Sequence, residues 1–456
     1  MATISFILFF SCTKESYTNS SSALLSASTD SLHFDTIFTT AGSITQMVKI
    51  FNNNEKGIHV SSVRLAGGLS SPFRINVNGA AGPQVSDLDI AANDSAYIFV
   101  TVSINQNASA LPFIVRDSIA LNYNGNEQFI QLDAYGKNAH FFKNRTISID
   151  ETWTNDKPYV ITGKLTVAPG ITLSIEKGCK IYIHADAPFI IEGTLKINGN
   201  DSTRVVFTGD RLDQPYKDFP GSYPGLTFTK NSNDNVFNYA VIQNAYQGIV
   251  VTGPSSSVKL TLNETIIDNA YDAGLTGNNT NIVANNLLVS NCGKNIVLNG
   301  GTYNFTHCTA TAYTNSFIQH KDPCLSLSNY YTYNNAITPS GLTAVFRNCI
   351  FWGESNGMLN DEVTLMKQGN TACNITFDQV LWKVQNTPAD AIIHGAINNQ
   401  DPLFDSVNTF QRIYNFRLKD GSPAIDKGVN TSINTDLDGH PRPVNLPDLG
   451  AYEKQR

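Results

Sequence analysis

The sequence predicts an all-β protein, an immunoglobulin-like antiparallel β-sandwich followed by a β-solenoid. Three observations carry this reading. The 456 residues include 50 Asn, 32 Gly and 18 Tyr but only 4 Met, a composition suited to strands and tight turns. The first third breaks into short alternating apolar and polar segments bounded by Gly, Asn or Asp. The middle repeats one short motif at intervals of about 22 residues, which is how a stack of coils reads.

The chain opens with the stretch FILFFSCTKES, Phe6 to Ser16. The apolar run from Ile4 to Phe10 is too short for a membrane span, which needs about 20 residues of helix. It fits the apolar core of an export signal, with Ser11 small at the cleavage point. The stretch resembles a bacterial lipoprotein signal, and that resemblance implies that Cys12 is lipidated and becomes the first residue of the mature chain. It also implies a cell-envelope, outer-membrane location, surface-exposed or periplasmic, with the membrane as a partner through the lipid. The Ser-rich ESYTNSSSALLSAST that follows reads as a flexible tether, so residues 1–23 form a signal and tether.

Residues 24–138 form the predicted sandwich. Segments such as ITQMVKIFNN, FRINVNG, SAYIFVTVSI and EQFIQLDAYG supply roughly seven strands, a number that suits an immunoglobulin-like domain. The stretch holds no Cys and no Trp, so the antibody-type core is excluded.

Residues 146–400 carry the repeats. ITGKLTVAPG (Ile161 to Gly170) returns as IEGTLKINGN (Ile191 to Asn200). A shorter motif then recurs: FNYAVI from Phe237, LNETII from Leu262, VANNLL from Val283, FTHCTA from Phe305, FRNCIF from Phe346 and FDQVLW from Phe377. Aligned in this way, Ala240, Thr265, Asn286, Cys308, Cys349 and Val380 share one inward position. Tyr239, Glu264, Asn285, His307, Asn348 and Gln379 precede it as a polar ladder. Cys308 and Cys349 are thus expected to be packed core thiols. No CxxC pair or zinc-type His spacing occurs among the six cysteines after Cys12. These motifs resemble the right-handed parallel β-helix of pectate-lyase-like proteins. The same coil carries lyases, hydrolases and adhesins, so the architecture does not select an activity.

Residues 401–456 change register. SPAID with Gly428, then TDLDGHPRP and DLGAYE, resemble the choice-of-anchor module that follows β-helices in exported bacterial proteins. The resemblance implies an envelope protein whose tail caps the solenoid. Sandwich, solenoid and tail together look like surface lipoproteins of Gram-negative bacteria.

Charged residues make up only 15% and net charge is −7, which argues against a nucleic-acid partner. A pectate-lyase-like enzyme needs an acidic cluster for calcium and a basic residue on neighbouring coils. The excursion TGDRLDQPYKDFPGSYPG offers Asp210, Asp213 and Asp218 as weak catalytic candidates, with Arg211 and Lys217 as bases. Its Tyr216 and Tyr223 are candidate sugar-stacking rings. Glu264 with Asp268 or Asp272 is a candidate carboxylate pair, although residues four apart in a strand lie about 13 Å apart. His307 is a candidate acid or base, better explained by the ladder. A later insertion carries His320, Lys321, Tyr330, Tyr331 and Tyr333, and its Tyr330 and Tyr331 are weak ligand-binding candidates. Asp436 and Asp438 begin like an EF-hand loop, but Pro447 stands where the closing glutamate belongs, so a tight Asp/Gly turn is the better reading. No convergent set of acid, base and metal ligands emerges, no cofactor is assigned, and calcium is the one ion considered. The leading expectation is a non-catalytic envelope lipoprotein whose β-helix presents a surface to a polysaccharide or a surface protein. The alternative is a polysaccharide lyase or glycoside hydrolase of the same fold.

Overall fold

The computed structural model describes residues 15–38, 43–105, 113–213, 216–333 and 336–455. Cys12 lies outside them. The chain is all-β and divides into two compact units, Met1–Ala139 and His140–Arg456. Among the described residues no helix is long and apolar enough to cross a membrane.

The first unit is a sandwich of two five-stranded sheets. Period-two patterning puts every second side chain on the inner face. Along Asp94–Val102, for example, Ala96, Ile98, Val100 and Val102 are buried while their neighbours are at least partly exposed. Most pairings are antiparallel, but Ser31–Phe38 runs parallel to Asn126–Lys137.

The second unit is a parallel solenoid built on a 25-stranded sheet. Three strands make one turn in its first half, so each strand pairs with the third strand after it. Inward side chains then stack in files. One file runs Ile175, Ile197, Phe237, Leu262, Ala284, Phe305, Phe346, Phe377 and Ile393. All but Ile393 are fully or almost fully buried. At a hydrophobic gain of about 25 cal/mol per Å² of apolar area removed from water, such files supply most of the drive for stacking.

Two registers differ from expectation. Ile161 pairs with Ile183, Leu165 with Phe189 and Val167 with Ile191, so equivalent positions of the copies at 161–170 and 191–200 do not stack. In the third copy of the short motif Ala284, not Val283, pairs with Phe305. The inward residue at this level is the small Ala284, next to the bulkier Val283 that fits the apolar pattern. Asn286 therefore stands in the ladder, Leu287 takes the inward place, and Asn285 joins an outward amide file with Asn263 and Asn238, each bond 2.9 Å.

With that shift the ladder has one physical cause. Tyr239, Glu264, Asn286, His307, Asn348 and Gln379 all have φ between 45° and 56°. Each occupies a left-handed corner, a conformation that costs an ordinary side chain about 1–2 kcal/mol. Gly225, at φ 108°, marks a tighter point, where a Cβ would lie 1.5 Å from the Gln247 carbonyl oxygen. Among the described residues Cys179, Cys292, Cys308, Cys324, Cys349 and Cys373 are all free thiols, and all but Cys373 are buried.

The tail packs along the flank of the solenoid. A hairpin of Phe404–Asn408 and Ile413–Leu418 is followed by turns whose Ala424, Leu437, Leu449, Ala451 and Tyr452 pack on Leu288, Ile350, Trp352 and Leu381 of successive coils. Polar bonds from the ladder fix it there. Asn286 donates to the Thr435 carbonyl at 2.8 Å, and Asn348 closes a two-bond clamp on the backbone of Val429 at 2.8 and 2.9 Å. Arg204, three coils earlier, donates to the carbonyls of Glu264 and Leu437.

Candidate functional site

The ladder residues proposed for chemistry are covered by this tail. His307 is fully buried; its Nδ1 lies against the Arg442 guanidinium, and its Nε2 lies 3.1 Å from Asn348 Nδ2 and 3.2 Å from Thr431 Oγ1. Burial and the Arg442 charge hold its pKa down at about 2. Arg442 is itself enclosed, donating to the carbonyls of Asp448 and Gly450 at 3.1 and 3.2 Å and lying 3.4 Å from Glu453. Glu264 accepts from Asn286 at 3.0 Å, with burial raising its pKa. His307 and Arg442 fasten the flank, and Glu264 is bound to the neighbouring ladder residue.

The excursion between coils disperses its carboxylates. Asp210 binds His184 at 2.7 Å, and Asp213 takes both forks of Arg211 at 2.7 and 2.8 Å, which holds its pKa below the usual range. Asp218 lies 3.5 Å from Arg412 of the tail hairpin. Each acid faces a different cation, and the loop does not gather an oxygen shell for calcium. Tyr223 corrects its assignment as a stacking ring: it is 0% exposed, inside the coil core, because its corner points inward. Tyr216 remains 44% exposed, under the Arg211 guanidinium at 4.1 Å. Tyr330 and Tyr331 are half-buried on a separate hairpin, Tyr330–Tyr333 with Ala336–Pro339, and neither lines a cleft described below. Asp436 is a turn residue, as expected. Its two oxygens accept from the backbone N–H groups of Asp438, His440 and Glu453 at 2.8 to 3.0 Å.

A different group forms an open site. Tyr246 and Tyr271 stand at the same corner of successive coils, 49% and 54% exposed, with ring centroids 5.7 Å apart at 25°. They border a cleft of about 500 Å³ completed by Asp272, Lys294, Phe317, Gln319, Lys321 and Asp322. Asp272 is oriented by Gln247 at 2.8 Å and Lys294 at 3.2 Å. The excursion turns beside Tyr271 at Gly221, whose φ of 78° favours glycine. Phe219 extends the aromatic surface to Phe317, with ring centroids 4.8 Å apart.

Phe317 also carries the Arg412 guanidinium, 4.0 Å from its ring centre, and Arg412 lines a second cleft of about 240 Å³. Asp218 and Asp268 face into it with Asn244, Asn269, Asn291 and Tyr414. Asp268 accepts from Ser290 at 2.6 Å, and burial raises its pKa. The structure thus brings Asp218 toward Asp268, not toward Glu264, because the excursion folds over the Asn corner: Asn244 and Asn269 donate to the carbonyls of Lys217 and Asp218 at 2.9 and 3.0 Å. A stacked aromatic platform leading to a polar, acidic chamber can hold an elongated ligand rich in hydroxyl groups.

Sequence reasoning missed Tyr246 and Tyr271, yet a signal existed. Asn244-Ala245-Tyr246 and Asn269-Ala270-Tyr271 repeat one coil apart. Asn takes the left-handed corner, Ala turns inward to 0% and 1% exposure, and Tyr is left outside.

No protein-family model and no curated protein matches the chain. Solved structures similar to parts of it include a family 123 glycoside hydrolase from Clostridium perfringens, at 11% identity and a TM-score of 0.19, over 26% of this chain and 30% of that one. The match thus spans under a third of that hydrolase. A PapD-like domain of human CEP192 aligns at 8% identity and TM-score 0.18, over 30% of this chain and 96% of that domain. The periplasmic chaperone SfaE aligns at 8% identity and TM-score 0.18, over 25% and 57% of the two chains.

Proposed function

We propose that this protein is a cell-envelope lipoprotein whose solenoid binds a polysaccharide across Tyr246 and Tyr271. The carrying observation is the pair of half-exposed, stacked rings rimmed by Asp272, Lys294, Lys321 and Gln319. Aromatic faces are electron-rich and attract the weakly positive C–H faces of sugars, while the rim supplies donors and acceptors for hydroxyls. Rings held by a rigid stack lose little entropy on binding. The test is native electrophoresis through gels containing acidic or neutral polysaccharides. Retardation by at least one polymer, lost in a Tyr246→Ala/Tyr271→Ala chain, supports the proposal. Unchanged mobility in every gel sinks it.

A second reading, chain cleavage in the same groove, is favoured by Asp268. A carboxyl whose pKa is raised by burial can donate a proton, and Asp218, 3.5 Å from Arg412, supplies a second carboxyl lining the same cleft. Incubation with the same polymers, with and without calcium, separates the readings: shortened chains that vanish with Asp268→Asn establish cleavage, and intact chains leave binding alone.

The envelope location rests on Cys12. Lipid on that thiol predicts that Cys12→Ala moves the protein from the membrane to the soluble fraction, and unaltered fractionation contradicts it.

A further inference from the structure

Behind the loop whose Gln319 and Lys321 line the first cleft, three buried side chains of different chemistry converge where that insertion folds back on the coils. Cys324 and Glu362 precede the paired strands Leu325–Ser328 and Val363–Met366, so they stand on the same corner of neighbouring coils. The Leu325 N–H bonds to the Glu362 carbonyl at 2.9 Å. His320 comes from the loop that crosses this corner. All three are inaccessible, at 1% exposure for His320 and 0% for Cys324 and Glu362. The His320 Nε2 lies 2.9 and 3.1 Å from the two Glu362 oxygens, and the ligand atoms of the three residues all lie within 4.8 Å of one another.

Two further observations bear on what the cluster is for. His320 Nδ1 is buried with no hydrogen-bond partner. The contact that orients the ring is therefore the one made by Nε2, the nitrogen that faces Glu362. Backbone, too, is cleared from the cluster: a Cβ on Gly353 would lie 2.3 Å from His320 Nε2 and 2.5 Å from Glu362 Oε1.

We propose that His320, Cys324 and Glu362 form a binding site for a divalent transition ion, zinc by donor preference. One nitrogen, one sulfur and one carboxylate oxygen are the ligand types zinc accepts, at bonds of about 2.0 to 2.3 Å. A tetrahedral ion draws such atoms to separations of about 3.3 to 3.6 Å, inside the range already present. The charge closes as well. On binding, the Cys324 thiol loses its proton to solvent and the ring proton of His320 moves from Nε2 to Nδ1. One thiolate, one carboxylate and a neutral imidazole then balance the dication, which suits an interior that tolerates no net charge. Calcium, which takes only oxygen ligands, does not fit this set.

The test uses the full chain with Cys12→Ser, which removes the one cysteine outside the described residues. The chain is stripped with a chelator, reloaded with cobalt(II) or zinc(II), and passed through gel filtration. One equivalent of retained metal and a sulfur-to-cobalt charge-transfer absorption are expected. Cys324→Ser loses the absorption, while Cys308→Ser, equally buried but remote from the cluster, keeps it. Absence of retained metal and of the absorption in the Cys12→Ser chain itself overturns the proposal, independently of whether any variant folds. Persistence of the band in Cys324→Ser overturns it equally.

Discussion

Replacing Asn348 by alanine tests how the tail is held. Asn348 is 0% exposed and sits at φ 55°. Its amide bonds both the N–H and the C=O of Val429, at 2.9 and 2.8 Å, and nothing else in the segment replaces them. Truncation leaves two part-buried backbone groups without this partner, at no more than about 1–3 kcal/mol each. It also puts alanine in a left-handed corner that asparagine tolerates better, which costs about 1 kcal/mol more. The expected loss is up to about 3 to 7 kcal/mol, a large part of the 5–15 kcal/mol typical of a folded domain. Guanidinium unfolding reads the total, and limited proteolysis followed by mass spectrometry should find new cuts between residues 401 and 456. Asn348→Gly removes the same bonds but relieves the corner, so it should recover about 1 kcal/mol of the loss. If Asn348→Ala unfolds within about 0.5 kcal/mol of the parent, as a surface change would, the clamp does not hold the tail.

Four other outcomes are expected. His307 stays neutral in the fold to about 2, whereas its ordinary value is 6.5, so the unfolded chain gains a proton first on acidification. The stability this confers is present above pH 6.5 and is lost as pH falls, at up to about 1.4 kcal/mol per unit. His307→Asn, which keeps a residue suited to the corner, should flatten the slope of unfolding free energy between about pH 6.5 and 4.5, and an identical slope would refute the assignment. Tyr271→Ala should weaken polysaccharide retention about tenfold while shifting the melting temperature little, since over half of the ring is exposed. Cys179, Cys292, Cys308, Cys324 and Cys349 should resist a thiol reagent until denaturant is added, because burial keeps them from reagent and, in Cys179, pushes the thiol up to about 11. Gly225→Ala should fail to fold or lose several kcal/mol, since its Cβ would occupy the space of the Gln247 carbonyl oxygen; a stable variant would mean that the coils approach less closely there.

The architecture was legible because both of its periods are written in single residues. Alternation marked the sandwich strands, and the recurring Phe, polar and thiol positions marked the coils. Register was less legible. Ala284 carries the inward file under Phe305, and a rule that seeks bulky residues passes over it. The tail's position was hidden for a different reason: its partners, such as Arg442 for His307, are separated by 135 residues, and no local pattern announces such a pairing. Glu264 and His307 looked chemical because acids and imidazoles usually are, but a left-handed corner under a covering segment turned them into fasteners. The polar rim of the groove was partly legible in Asp218, Asp268, Asp272 and Lys321, whereas its platform is an uncharged Asn-Ala-Tyr triplet used twice, one coil apart.

The flank-lying tail also changes how the unit comes apart. In a stack where each coil touches only its neighbours, stability is a sum of nearest-neighbour terms, and end coils can fray while the middle persists. Here a single strap runs from Arg204 through Asn286 to Asn348, tying early coils to late ones. Opening any spanned coil then loosens anchor points on the others, so melting is drawn toward one all-or-none event. The array behaves as a bound volume in which no page lifts separately.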